Sequence, residues 1–196
     1  MDRLRSDRRI IALTYADAQL AGHVMRRLVT KLVASGVSCA GFLEHDEPPQ
    51  PGRARCDMFI ENLATGARVK ISEDRGPLAR GCHLDASMLA TAIEAAREAL
   101  EESPDALVIN KFGKTEAEGA GFRSLIADAV GLGVSVLIAV PWRNIESWRL
   151  FAGDLAIEVA VDSLGPEDDA SAVAAIGLRI AAVNRSSGEY RLSGAT

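Results

Sequence analysis

Acids outnumber bases in this sequence, cysteines are few and long apolar runs are missing, and each of these excludes something. Of 196 residues, 22 are Lys or Arg against 27 Asp or Glu, a net charge of -5. No broad basic face is therefore available for an extended nucleic acid, whose phosphates supply most of the non-specific affinity. A small anion needs only a local site and stays open. The three cysteines, Cys39, Cys56 and Cys82, form neither an even set nor a CxxC pair, which excludes a disulfide scaffold and points to reduced thiols in a cytoplasmic setting. No stretch approaches the ~18 apolar residues of a membrane helix. The apolar run at residues 10–13 follows a charged start and is too short for a signal-peptide core.

What is present is an ordinary globular composition, 48% hydrophobic and 25% charged. A chain of this length buries roughly 70% of its unfolded surface, enough for one core without a staple. We expect one α/β domain over residues 1–196, with residues 1–8 and 185–196 frayed and 56–73 forming an inserted β-hairpin.

Strands and helices alternate along the chain. Residues 10–15 read as a buried strand, followed by a helix capped by Asp17 whose Leu20, Val24, Leu28 and Leu32 recur at helical spacing. A strand is expected at 37–43, then a Pro- and charge-rich loop from Glu44 to Arg55, then the hairpin strands 56–62 and 67–72. A helix at 86–102, capped by Asp85, leads to strands at 106–110 and 134–140 with a helix at 120–132 between them. A short helix carrying Trp142, Trp148 and Phe151, a strand at 155–161 and a helix at 171–183 complete the pattern. This alternation predicts a three-layer, doubly wound, mainly parallel sheet with the hairpin at one edge. Ligands bind such sheets at the carboxyl ends of the strands, which singles out the loops at 15–22, 110–121 and 141–148.

The first of these loops occupies the usual place of a phosphate loop. The Walker A pattern GxxxxGK[ST] supplies glycines for close backbone approach, a lysine for the phosphates and a hydroxyl for Mg²⁺. Here the corresponding residues are Gly22, His23 and Val24, and Asp17 places a carboxylate where phosphate would sit. The pattern is degenerate, and a simple strand–helix turn capped by Asp17 describes it better.

The second loop carries the richer chemistry. Asn110-Lys111-Phe112-Gly113-Lys114-Thr115-Glu116-Ala117-Glu118-Gly119-Ala120-Gly121 packs two lysines, two acids and three glycines after a buried strand. Glycines let backbone N–H groups approach an anion, here Gly113 and Gly119. Lys111 and Lys114 supply the positive charge that the first loop lacks, and Glu116 or Glu118 is a candidate to orient a water or hold a cation. Acids in a first helical turn also simply complement the helix dipole.

This string, with Gly81-Cys82-His83-Leu84-Asp85 and Arg55-Cys56-Asp57 upstream, resembles an uncharacterised bacterial family of unknown function. The resemblance spans about residues 10 to 153. It implies a P-loop-nucleoside-triphosphatase-like fold and a gene setting near molybdenum uptake or nitrogen fixation. More loosely, the segment resembles the Walker B region of small thermophile-type nucleoside triphosphatases. Asn110 then takes the Asp position, Lys111 the Glu position, Gly113 the Gly and Glu116 the later Glu.

The remaining candidates lie in the cysteine-bearing loops and after residue 140. Cys56, Cys82 and Asp57 are of the right types for a transition metal, although their spacing fits no standard zinc motif. Arg80, Cys82 and Asp85 can contact an anion, and a thiolate at a helix start is reactive. Both cysteines can equally be small packing residues, with Asp85 a plain N-cap. Trp142 is placed to stack on a base, while Trp148 and Phe151 read as core. The expected ligand is thus a nucleotide or small oxyanion, with Mg²⁺ or a transition metal as the candidate cofactor. Nucleoside-triphosphate hydrolysis would fall to Glu116, Lys111 and Lys114. The alternative is a non-catalytic accessory of molybdenum or metal handling, acting through a homodimer or a metal-handling partner.

Overall fold

Alternating apolar residues on strands and apolar stripes on helices sort this chain into three layers. A computed structural model describes residues 8–45, 58–73 and 83–163. The elements are β1 (Ile10–Tyr15), α1 (Ala18–Ala34), β2 (Cys39–His45), β3 (Phe59–Asn62), β4 (Arg68–Lys70) and α2 (Ala86–Glu101). They continue as β5 (Ala106–Ile109), α3 (Lys114–Ala117), α4 (Arg123–Gly131), β6 (Ser135–Pro141), α5 (Ile145–Ala152) and β7 (Ala156–Ala160). The seven strands form one sheet in the order β4-β3-β2-β5-β6-β1-β7. From β2 to β7 every pairing is parallel, and the β3–β4 hairpin is added antiparallel at one edge. The expected doubly wound, P-loop-NTPase-like α/β architecture with a hairpin insert is the one observed.

Both faces of the central strands are buried. On β6, Val136, Ile138 and Val140 point into the core under α2, α4 and α5, while Leu137 and Ala139 point to the side covered by α1. Strand β1 divides in the same way, with Ile10 and Ala12 against Ile11, Leu13 and Tyr15. The chain leaves β1 over the α1 face, lands on β2, and returns strand by strand over the opposite face. All four crossovers therefore have one hand, as parallel connections require. Because β1 sits between β6 and β7, the sheet has its switch of direction beside β1, where a crevice opens at the carboxyl ends.

Four boundaries differ from the sequence pattern. The helix expected at 120–132 begins only at Arg123, as α4, and a separate short helix, α3, forms in the stretch read as loop; Gly119 (φ 98°) and Gly121 (φ 62°) adopt left-handed backbone between them. Strand β2 runs to His45 rather than stopping at Leu43, since its outer half, Phe42 to His45, pairs with β3. Gly41 makes that change of partner possible. Its φ is 100°, and a Cβ there would lie 2.0 Å from the Val108 carbonyl oxygen. The hairpin strands are shorter than expected, β3 and β4 as given above, and Ser72 adds a bridge to Leu84. The helix expected at 171–183, residues 1–7 and 185–196 of the ends expected to fray, and Cys56, Asp57, Arg80 and Cys82 lie outside the described residues.

Candidate functional site

The carboxyl ends of β1, β2 and β5 surround a cavity of about 360 Å³. Its walls come from four segments, one of them β6 through Ala139. The end of β1 and the first turns of α1 give Tyr15, Gln19, Gly22, His23 and Arg26; β2 gives Leu43 and Glu44; the residues after β5 are Asn110 and Lys111. Positions 19, 22, 23 and 26 form one stripe of α1, beside the buried stripe of Ala21, Val24, Met25 and Leu28. The helix thus grips the core with one side and lines the cavity with the next.

A small polar network fixes the far wall. Beyond Gly41 the β2–β5 ladder has ended, and the Asn110 side chain takes over its role. Asn110 Oδ1 accepts from the Glu44 backbone N–H at 3.2 Å, and Asn110 Nδ2 donates to Glu44 Oε2 at 2.9 Å. Lys111 Nζ lies 3.4 Å from the same Oε2. The Arg26 guanidinium donates to the Glu44 backbone carbonyl. Two cations therefore meet Glu44, Lys111 at its carboxylate and Arg26 at its backbone carbonyl. Burial pushes the Tyr15 phenol above its ordinary pKa, Arg143 draws it down and Glu44 pushes it further up. Those interactions place Arg143 and Glu44 within electrostatic reach of the Tyr15 hydroxyl.

The α1 N-terminus is closed to anions. Asp17 Oδ1 accepts from the backbone N–H groups of Gln19 and Leu20, at 2.8 and 3.2 Å. These are the donors that a phosphate loop would aim at its ligand. His23 is exposed, with Nδ1 3.0 Å from the Gln19 carbonyl oxygen.

Of the candidate site residues that lie among the described residues, the structure brings Asn110 and Lys111 to the cavity, while Gly113, Lys114, Glu116, Gly119, Asp85 and Trp142 do not line it. Glu116 is 5% exposed and sits inside its own loop. Its Oε2 accepts from the Gly113 N–H at 2.8 Å and its Oε1 from the Phe122 N–H at 3.0 Å. Its backbone carbonyl accepts from Arg123 Nη1, and that guanidinium stacks 4.4 Å above the Phe151 ring. Gly113 is occupied by this bond to Glu116, and Gly119 forms the turn after α3. Lys114 is exposed and pairs with Glu118 at 3.6 Å. The loop is anchored through Phe112, whose ring packs on Trp148 and Phe151 and whose carbonyl accepts from Asn144 Nδ2 at 2.8 Å. Trp142 is half-exposed on the turn before α5 and does not line the cavity.

Asp85 is the N-cap of α2, accepting from the N–H groups of Ser87 and Met88 and from the Ser87 hydroxyl. The hydroxyl bond foremost, with help from the amides, holds its carboxyl below the ordinary range. The ends of the Cys82-bearing loop meet through backbone bonds from Glu73 to His83 and from Asp85 to Ile71, beside the hairpin. Among the described residues no three His, Cys, Asp or Glu side chains are grouped as metal ligands. No described helix is long and apolar enough to cross a membrane.

A family model described as a protein of unknown function, DUF2478, matches residues 10–165. The chain belongs to the DUF2478 family. Over 147 residues, 75% of its length, this DUF2478 protein is 33% identical to the molybdenum import ATP-binding protein ModC 2 of Bradyrhizobium diazoefficiens. The match takes up 16% of that relative, so the chain spans only a small part of its length. No solved structure matches.

The sequence pattern of this DUF2478 protein did not point to Glu44 or Arg26 as site residues, and reached Tyr15 only as the first residue of the strand-end loop at 15–22. Glu44 was hidden at the start of a stretch read as loop. Arg26 had a readable signal, its place on the polar stripe with Gln19 and His23 one turn apart on a helix that follows the first strand.

Proposed function

We propose that this DUF2478 protein binds a small anionic ligand, a nucleotide or an oxyanion, in the cavity between β1, β2 and β5. The observation that carries this reading is the pairing of two cations, Arg26 and Lys111, across a cavity at the switch point of a doubly wound sheet. Ligands of such sheets bind at that position. Lys111 meets the anionic group, and Asn110 holds the wall on which Lys111 rests. The family's likeness to an ATP-binding protein of molybdenum import suggests ATP and molybdate as the first ligands to try. Turnover of a bound nucleoside triphosphate would draw on Lys111 for charge, with Glu116 keeping the loop in shape and the exposed Lys114 outside the cavity.

Titration calorimetry with ATP, GTP, phosphate and molybdate tests the reading. Binding of at least one, weakened about tenfold or more in Lys111→Ala, is the expected result. No binding by any of the four removes the proposal.

A second reading follows from the relative alone. The protein would act as an accessory of molybdenum handling, through a partner protein or a second copy and without catalysis. Metal analysis of the purified protein and of Cys82→Ser separates the two. A stoichiometric metal lost with Cys82 favours the accessory role; a metal-free protein that hydrolyses nucleotide refutes it.

A further inference from the structure

Resting on that reading, the cavity also says which kind of anion it takes. We propose that the ligand is an organic phosphate presenting an N–H or O–H donor to Glu44, such as a nucleotide, and not a bare oxyanion; Glu44 is the residue that makes the choice.

Two independent observations carry this. The first is size. A water molecule's share of liquid volume is about 30 Å³, and a tetrahedral oxyanion occupies only a few such shares. The cavity measures about 360 Å³, within the range of roughly 300–1,000 Å³ that holds small organic ligands and cofactors. An oxyanion alone would leave most of it to water.

The second is charge and hydrogen-bonding capacity. Asn110 Nδ2 and Lys111 Nζ both approach Glu44 Oε2. Glu44 Oε1 accepts no hydrogen bond among the described residues, and the side chain is 44% exposed. The cavity wall thus carries an open carboxylate acceptor beside the Lys111 ammonium. A fully deprotonated oxyanion such as molybdate, drawn to Lys111, meets the Glu44 charge at close range with no proton to share; hydrogen phosphate carries an O–H donor but fills little of the cavity. An organic phosphate avoids this conflict, because its phosphate can face the cations while an amino or hydroxyl group donates to Oε1. Such a bond to a charged acceptor is among the stronger single contacts a polar site can make. An amide side chain at position 44 would offer either ligand class a donor; a carboxylate disfavours an anion that has no proton to share.

The experiment compares wild type with Glu44→Gln, using ATP and GTP against inorganic phosphate and molybdate in the same calorimeter. Gln keeps the shape and still accepts from Asn110, and thermal melts confirm that both proteins are folded. We expect wild type to bind a nucleotide at least tenfold more tightly than either oxyanion. In Glu44→Gln the nucleotide weakens about tenfold while molybdate, which has no proton to donate, binds more tightly, so nucleotide and molybdate move in opposite directions. A merely structural role for Glu44 would move both the same way. If wild type binds an oxyanion as tightly as nucleotide, or if Glu44→Gln shifts nucleotide and molybdate alike, the selectivity proposal is overturned and the cavity remains an anion site. If wild type binds none of the four, the underlying reading falls with it.

Discussion

Asn110 and Glu44 hold one another by two hydrogen bonds in opposite directions, the Asn110 amide accepting from the Glu44 backbone and donating to its carboxylate. The pair closes the gap that opens where β2 leaves β5 at Gly41. Asn110→Ala should lower the unfolding free energy by about 1–2 kcal/mol, read from urea unfolding. Asn110→Asp sets a second carboxylate against Glu44, so its cost should be larger at pH 7. That excess should shrink as pH falls through the carboxylate range and the repulsion is neutralised. An Asp variant as stable as wild type at pH 7 would contradict the assigned contact.

Glu116 ties both ends of its loop to one carboxylate. Glu116→Ala leaves the Gly113 and Phe122 N–H groups without that acceptor and should cost about 2–4 kcal/mol. Gly121→Ala should be comparably damaging, because Gly121 has positive φ and a Cβ would lie 2.0 Å from Glu116 Oε1. Thermal or urea unfolding measures both. Either variant matching wild type would show that the loop does not depend on this carboxylate.

The two lysines of the loop should behave differently. Lys114 is exposed and its ion pair with Glu118 spans one helical turn, an arrangement worth little. Lys114→Ala should change stability by under about 0.5 kcal/mol and leave ligand affinity within about twofold. Lys111→Ala should leave stability close to wild type and weaken the bound anion. Parallel calorimetry and melts on the two variants read the contrast directly; equal losses of affinity would contradict it.

Cys39 should be the inert thiol. Burial foremost, and then the Asp105 charge, push its pKa up to about 11. At pH 8 its thiolate is scarce, so alkylation followed by peptide mapping should find it unmodified in native protein and modified after denaturation. The sign of the pH effect on stability follows. The unfolded thiol ionises near its ordinary pKa and the folded one later, so this group's contribution is complete below about pH 9. It should be lost as pH rises towards 11, and Cys39→Ala should remove that part of the alkaline decline.

Much of the fold is legible in the sequence because it is local. Residues 134–140 could only be a covered strand, and Asp17 and Asp85 cap helices that begin where the apolar spacing begins. Less legible is whatever depends on distant partners. His45 belongs to a strand only because Phe59 pairs with it, so the strand end that carries Glu44 was hidden in a charged loop. The position of β7 beside β1 is likewise a tertiary fact. The loop after β5 was correctly singled out as strand-terminal, but its composition could not distinguish Lys111, which faces the cavity, from Glu116, which turns inward. That division depends on backbone direction at Gly119 and Gly121, which composition does not encode.

The location of the ligand is the central question, and hydrogen exchange read by mass spectrometry at saturating nucleotide answers it most directly. Bound ligand should slow exchange in peptides covering residues 18–26, 43–45 and 110–112, and leave 114–122 unchanged. Protection confined to 114–122, with the β1, β2 and β5 ends exchanging as in free protein, would contradict the assigned site.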